Sequence, residues 1–256
     1  MPSPNLGWRH FLIAKVCIVN DLPNLPRLPF NWTWVLATVA TTVVLAGIGL
    51  YVYYPSLPDP MPVHWNGSGE ADTWTPKSVG SFLSLILIGP GIILLTLLGM
   101  QALLTMQSEV ITQRGGAKSA NEAHRQWETY KATSMHMGWY MFVLNALILV
   151  MILNEFRPNP LPGGFVIGLI GIIAATIVLL VLIGKTTTSL AKKYPMPDQD
   201  GKTWGIFYND PDDNRILVDT GMGMNYTFNI AHTWGKIFAV LIFAVPVLIV
   251  LLTVLL

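Results

Sequence analysis

The sequence predicts an all-α membrane protein with five transmembrane helices and a small cytoplasmic β-meander inserted between helices 4 and 5. Two observations carry this prediction. Only 11% of the 256 residues are charged, against about a quarter in a soluble domain. The charged residues are also absent from five long stretches and crowd between them. This composition excludes a disordered chain, a coiled coil and an ordinary water-soluble enzyme.

The five charge-free stretches locate the helices. Each stretch can hold one helix of roughly 20 residues, the length that crosses about 30 Å of hydrocarbon, and none can hold two helices with a turn. Continuous apolar runs favour helices over a β-barrel, because a helix satisfies its own backbone hydrogen bonds in lipid. The predicted transmembrane segments are residues 33–54, 79–107, 132–154, 164–184 and 237–256.

The distribution of basic residues predicts the orientation. All of the 15 Lys and Arg residues except Lys77 and Arg157 fall on one side of the predicted membrane. By the positive-inside rule that side is cytoplasmic, so the amino terminus is predicted to be cytoplasmic and the carboxyl terminus external. The cytoplasmic segments are then 1–32, 108–131 and 185–236, and the external loops are 55–78 and 155–163.

Charge and cysteine content limit the partners. A net charge of +1 gives no general attraction to nucleic acid, and one cysteine, Cys17, excludes an intramolecular disulfide within this sequence. The apolar stretch near the amino terminus is interrupted by Lys15, and we expect it to lie along the inner surface or against the bundle instead of acting as a cleaved signal. The expected partners are the lipid bilayer and other membrane proteins or a peptide, and no nucleic acid.

The predicted external loop, 55–78, combines prolines, a turn and clustered rings. Its prolines disfavour a helix and favour an extended path, and Asn66 with the following glycines supplies a tight turn. One interpretation is a ligand- or partner-binding surface or a cation site; the other is a structural element that packs Trp rings on the helix ends. One His with scattered carboxylates falls short of a zinc signature, so no metal or other cofactor is expected. The candidate binding residues are His64, Trp65, Asn66, Asp72 and Trp74.

The last cytoplasmic segment has a strand-like pattern after residue 197. Residues 204–208 and 215–218 flank a turn-rich stretch and predict a β-hairpin, and residues 225–229 predict a third strand. The turn resembles the first half of a calcium loop, but Arg215 and Gly221 stand where that loop needs Gly and Glu. We therefore expect a turn held by side-chain hydrogen bonds to the backbone. Its residues of interest are Asp210, Asp212, Asp213 and Asn214.

The predicted spans contain no ionisable carboxylate, Lys or Arg, and Asn145 is their deepest amide, expected to join helices. Gly89, Pro90 and Gly91 interrupt the second span and predict a packed kink; ion coordination by the freed carbonyls is the alternative. Small residues on one side of the fourth span predict close helix packing within the chain or in a dimer. These residues are Gly164, Gly168 and Gly171.

The external loop resembles the amino-terminal unit of the SdpI-type bacterial immunity proteins, a domain of unknown function. The resemblance rests on Pro62, His64, Asn66 and Asp72 with their spacing. Residues 204–229 look like a second uncharacterised domain of the same bacterial membrane proteins. The resemblance implies a bacterial inner-membrane protein with a role in immunity to a secreted peptide toxin or in sensing it, and implies no catalytic residue.

These observations predict a non-enzymatic protein that binds a partner or peptide at its external loop. An accessory structural subunit of a larger membrane complex is the alternative, motivated by small-residue helix faces. A third hypothesis is a metal-dependent membrane enzyme or transporter that would add Asp59 and Glu70 to His64 and Asp72.

Overall fold

The computed structural model describes residues 22–66, 70–113, 117–196, 202–204, 207–219 and 226–241. Most of these residues are helical. The four long helices are α1 Trp32–Ile48, α2 Val79–Val110, α3 Ala120–Glu155 and α4 Gly164–Lys193. Helix α1 continues through a π-helical turn, Gly49–Tyr53, and a 3-10 turn, Tyr54–Ser56. Residues 233–241 form the described part of α5.

Among the described residues, four helices are long and apolar enough to cross a membrane, and together they mark the chain as a membrane-embedded protein. They are Trp32–Ser56, Val79–Val110, Ala120–Glu155 and Gly164–Lys193, and they coincide with the first four predicted spans. The fifth predicted span, 237–256, lies outside the described residues from position 242 onward. The described part of the chain therefore supports four spans and not five.

Helix α3 begins at Ala120, well before the predicted start of its span at 132. The reason is a local helix-start signal. The Ser119 hydroxyl accepts a hydrogen bond from the Glu122 backbone N–H at 3.2 Å, and a Glu122 carboxylate oxygen accepts one from the Lys118 N–H at 2.7 Å. The first bond satisfies a backbone donor that the first turn of a helix leaves without a partner. The second bond ties the chain that precedes the helix to its first turn. A charge-free stretch therefore locates the lipid-immersed part of a helix and not its ends.

Two compact units are present, and the first comprises Asn31–Gln101, Ser134–Ile183 and Phe238–Leu256. In this unit strands β1 Met61–Trp65 and β2 Ala71–Thr75 form an antiparallel hairpin between α1 and α2. Met61 of β1 is fully buried in an apolar cluster that includes Phe82 of α2 and Leu149 of α3. Each Å² of apolar surface that such side chains remove from water stabilises the fold by about 25 cal/mol. The hairpin is therefore anchored to the helices through β1.

Glycines allow α4 to approach α3 closely in the same unit. The contacts are Gly164 with Asn154, Gly168 with Met151, and Gly171 with Leu147. A Cβ added at Gly168 would overlap the Met151 side chain. The three glycines therefore serve close packing inside the chain, where lipid offers no hydrophobic driving force and association depends on contact between the helices.

Helix α2 is continuous through Gly89, Pro90 and Gly91, and the packed kink expected there stays a prediction. Pro90 is fully buried and lacks the N–H that would bond to the carbonyl of Ile86. A Cβ at Gly89 would meet Ile148 of α3 at 3.8 Å, whereas nothing lies within 4 Å of one at Gly91. The helix thus absorbs the loss of one hydrogen bond without unwinding, so the stretch of free carbonyls that an ion site would need is not formed.

The second unit comprises Met1–Phe30, Ala102–Thr133 and Gly184–Ile237. Among its described residues, β3 Thr203–Trp204 pairs with β4 Phe207–Tyr208, and β5 Leu217–Asp219 pairs with β6 Tyr226–Phe228. Both pairs are antiparallel, and one parallel bridge joins Tyr208 to Asn229.

The predicted β-meander is confirmed in its second pair, because residues of 215–218 pair with residues of 225–229. Its first pair is wrong: among the described residues, the predicted strand 204–208 contributes to two short strands that pair with each other, and it does not pair with 215–218. The physical reason is Asn229, whose side chain hydrogen-bonds to the backbone of the intervening turn. These bonds replace the backbone hydrogen bonds that would join the two segments in a hairpin.

Candidate functional site

Lys77 closes the base of the β1–β2 hairpin. Its ammonium donates hydrogen bonds to the carbonyl oxygens of Leu57 at 2.7 Å and Pro55 at 3.2 Å, and lies 5.2 Å from the centroid of the Tyr54 ring. Its backbone N–H donates to the Asp59 carboxylate at 2.9 Å. Asp59, a cation-ligand candidate in the sequence, is therefore occupied in holding the loop in place.

Asn66 holds the tip of the hairpin. Its backbone N–H donates to the carbonyl of Glu70 at 2.9 Å, and its side-chain oxygen accepts from the Glu70 N–H at 3.0 Å. Residues 67–69 of the turn lie outside the described residues. Because its side chain substitutes for a backbone turn contact, Asn66 has a structural role at this position.

His64 and Asp72 form an exposed imidazole–carboxylate pair across the two strands. The distance from His64 Nδ1 to Asp72 Oδ1 is 2.6 Å, and the side chains are 66% and 43% exposed. The hydrogen bond from His64 is the main reason why the pKa of the Asp72 carboxyl lies below its ordinary value. The Thr73 hydroxyl donates to the same oxygen at 3.3 Å. With Nδ1 engaged, His64 is oriented so that Nε2 remains for contact with a partner.

The two tryptophans of the hairpin have different environments. The Trp65 ring stands edge-on to Phe156, with 5.5 Å between the ring centroids, and packs against the apolar cluster. Trp74 is 49% exposed. His64 is exposed while the next residue, Trp65, faces the helices, at a point where the pairing of β1 with β2 shifts register. The three rings grouped in the sequence are thus divided: His64 and Trp74 are exposed, and Trp65 packs against the apolar cluster.

Asn229 organises the acidic turn at 209–214 in the second unit. This fully buried residue donates from Nδ2 to the carbonyls of Asp210 and Asp213, both at 2.8 Å. Its Oδ1 accepts from the backbone N–H groups of Asp210 and Ala231, both at 3.1 Å. The ring of His232 adds a bond from Nε2 to the Asp213 carbonyl at 2.7 Å.

The carboxylates of this turn are engaged with groups of the same chain. Asp210 accepts from the Lys202 ammonium at 2.8 Å, from the Tyr208 hydroxyl at 3.0 Å and from the Asp212 N–H at 3.0 Å. The Lys202 hydrogen bond is the main cause of the lowered pKa of Asp210, and that bond also raises the pKa of Lys202. The bond between Asp210 and the Asp212 N–H is the side-chain-to-backbone turn contact expected from the sequence.

Asp213 forms a two-pronged ion pair with Arg215. The shortest contact, from Arg215 Nη2 to Asp213 Oδ2, is 2.6 Å, and Arg215 Nε contacts both carboxylate oxygens. Hydrogen bonds from Arg215 hold the pKa of the Asp213 carboxyl far below its ordinary value. Asp212 and Asn214 are exposed beside this pair. Within the part of the chain that the structure describes, no three His, Cys, Asp or Glu residues are grouped to hold a metal ion.

Sequence reasoning missed two residues that position these sites. Asn229 stands at the end of the predicted strand 225–229, and the strand pattern gives no signal for its contacts with the turn. Lys77 was counted only as one of two basic residues on the external side. The sequence does contain a signal for the pairing of His64 with Asp72. The two residues lie at similar distances before and after the predicted turn, as cross-strand neighbours in a hairpin do.

Comparison with known proteins identifies the hairpin region. A family model described as a domain of unknown function (DUF1648) matches residues 41–89. The match begins in α1, includes both strands of the hairpin and ends in α2. This loop and the adjoining parts of α1 and α2 are therefore similar to a domain of unknown function, while most of the chain lies outside the match. No curated protein and no solved structure matches the chain.

Proposed function

We propose that this chain is a non-enzymatic, multi-pass protein of the bacterial inner membrane that binds a peptide or protein partner through the exposed strand of its external hairpin. The observation that carries the proposal is the asymmetry of the hairpin. Strand β1 is anchored in the apolar cluster by Met61, whereas β2 exposes Asp72, Thr73 and Trp74 in succession. The hairpin is thus held in place through β1, and it exposes an aromatic ring on β2 and an imidazole–carboxylate pair between the strands. Such an arrangement suits recognition of a partner.

The orientation in this proposal follows the positive-inside rule. Basic residues are concentrated in the segments 1–32, 108–131 and 185–236, which places the hairpin outside and the amino terminus in the cytoplasm. A fifth span at 237–256 places the carboxyl terminus outside. The resemblance to the SdpI-type proteins supports a role in immunity to a secreted peptide or in sensing it.

The charge of the loop favours a cationic partner. Residues 55–78 carry the carboxylates Asp59, Glu70 and Asp72 and a single basic residue, Lys77. Lys77 is bonded to backbone carbonyls at the base of the hairpin, so its charge is turned toward the chain. Complementary charge steers association, and a half-exposed Trp supplies the apolar contact area typical of binding hot spots.

The accessory-subunit alternative is motivated by the absence of ionisable groups from the predicted spans and by the small-residue helix faces. The small-residue face of α4 packs on α3 of the same chain through Gly164, Gly168 and Gly171. That face is therefore not free to receive a helix of another subunit.

Site-specific photo-crosslinking in native membranes tests the proposal. A photoreactive amino acid at Thr73 is expected to give a discrete crosslinked partner, and Trp74→Ala is expected to abolish that adduct. The same probe at Val43, an exposed apolar position on α1, is the matched control and should give lipid adducts only. Adducts at Thr73 that persist unchanged in Trp74→Ala would contradict the proposal.

A second variant separates binding from folding. Trp65→Ala removes the ring that packs on Phe156 and is expected to lower the amount of folded protein, whereas Trp74→Ala should leave that amount unchanged. An equal loss of folded protein in both variants would show that Trp74 acts structurally.

A further inference from the structure

Helices α1 and α3 meet at a polar cluster inside the first unit. Thr38 and Asn145 are fully buried and Thr42 is nearly so. The Thr42 hydroxyl donates to the carbonyl of Thr38 at 2.8 Å and therefore can only accept from Asn145, whose Nδ2 lies 3.0 Å away. These two bonds fix the orientation of the Asn145 amide, with its NH₂ group toward Thr42.

This orientation leaves two polar atoms of the cluster without a partner among the described residues. They are the side-chain oxygen of Asn145 and the hydroxyl of Thr38. The Thr42 hydroxyl contacts both residues, because it donates to the backbone carbonyl of Thr38 and accepts from the Asn145 amide. The side chains of Thr38 and Thr42 lie four residues apart on one face of α1, so the free hydroxyl of Thr38 lies on the face of α1 that Asn145 contacts. One atom is an acceptor and the other is both donor and acceptor. Unsatisfied polar groups are costly in a protein interior and more so in lipid.

We propose that this cluster binds one structural water molecule that bridges Thr38 and Asn145. The water donates one hydrogen bond to the Asn145 oxygen and accepts one from the Thr38 hydroxyl. Two or more polar partners are what a buried water requires. The neighbouring positions on this face of α1, Thr42 and Ala46, are also small and buried.

A second polar contact of α3, in the same unit, is complete without a bridging water. The Gln101 side chain of α2 donates to the Ser134 carbonyl at 3.2 Å and accepts from the Ser134 hydroxyl at 2.8 Å. Both ends of this amide are bonded within the protein, so no bridging molecule is needed. The Gln101 amide therefore serves as an internal reference for the Asn145 amide.

The first test uses near-isosteric variants in SDS unfolding titrations of the full chain in mixed micelles. If the hydroxyl of Thr38 holds a bridging water, Thr38→Val should lower the folded-to-unfolded ratio by roughly fivefold to tenfold, and Thr38→Ser should restore it. If that hydroxyl has no hydrogen-bond partner, Thr38→Val should raise the ratio, because the variant removes a buried, unsatisfied polar group. A raised ratio overturns the proposal.

The second test distinguishes a water from a direct bond between Thr38 and Asn145. Solid-state NMR in lipid bilayers measures polarisation transfer from water to side-chain amides. The proposal predicts transfer to the Asn145 amide above that to Gln101, and its loss in Thr38→Val. Transfer to Asn145 no greater than to Gln101 overturns it, whatever the unfolding titration gives.

Discussion

The same residue types have different roles in this chain according to which side of a strand or turn they occupy. His64 is exposed and paired with Asp72, whereas its neighbour Trp65 is packed against Phe156. The sequence identified the residue set of the hairpin but could not divide it, because an irregular strand pairing determines which side chains face the helices. The pairing of β1 with β2 shifts register twice near His64, and such shifts have no clear sequence signal.

Removal of the His64 ring should change the titration of Asp72. The lowered pKa of this carboxyl means that its contact with His64 stabilises the hairpin above the ordinary carboxyl pKa, and that this stabilisation is lost as pH falls through the lowered value. In His64→Ala the Asp72 pKa should rise toward its ordinary value, as followed by the carboxyl carbon chemical shift in NMR. His232→Ala, in the second unit, is the control; an unchanged Asp72 titration in His64→Ala would exclude the pair.

Asn229 should be the residue on which the acidic turn depends most. Asn229→Ala removes four hydrogen bonds to the backbone, and at about 1 kcal/mol for each bond a loss of about 4 kcal/mol of local stability is expected. Hydrogen exchange of the 207–219 segment should accelerate strongly. Asn214→Ala, at an exposed position of the same turn, should change it little. Comparable exchange in the two variants would contradict the role given to Asn229.

Helices were predicted well because charge depletion over many residues is a strong signal, whereas the strands were predicted less well. The predicted strand 204–208 instead contributes to β3 and β4, which pair with each other, whereas the predicted strand 215–218 contains the start of β5 and pairs with β6 as expected. The turn between the two pairs is held by one distant side chain, Asn229. Short strands form few backbone hydrogen bonds with each other, so one buried side-chain amide can determine how they are arranged. Helix ends were likewise misplaced where a local signal, such as Ser119 with Glu122, extends the helix past the charge-free stretch.

Two glycine substitutions should separate packing from helix propensity. A Cβ at Gly138 of α3 would overlap the Trp34 ring of α1, which also donates a hydrogen bond to the Met135 sulfur at 3.3 Å. Gly138→Ala should therefore destabilise the protein by about 1–3 kcal/mol through overpacking. Gly91→Ala, where nothing lies within 4 Å, should be neutral or slightly stabilising. Unfolding titrations in mixed micelles measure both, and a neutral Gly138→Ala would contradict the close approach of α1 and α3.

At the scale of the whole molecule, lipid acts as the solvent for the long helices, and most of what could be predicted follows from that. The four spans of the described residues, Trp32–Ser56 to Gly164–Lys193, match long charge-free stretches because ions are excluded from hydrocarbon. The function could not be derived in the same way. Recognition depends on a few exposed side chains of one hairpin, and their arrangement is a property of the folded loop.

The location of the hairpin on the external side of the inner membrane is the claim on which the proposed function depends, and cysteine labelling tests it most directly. In a Cys17→Ala background, Thr73→Cys on β2 and Lys202→Cys in the 185–236 segment are treated with a membrane-impermeant maleimide in intact cells. The account predicts that Thr73→Cys is labelled in intact cells and that Lys202→Cys is labelled only after permeabilisation. Labelling of Thr73→Cys only after permeabilisation would place the hairpin in the cytoplasm and contradict the account.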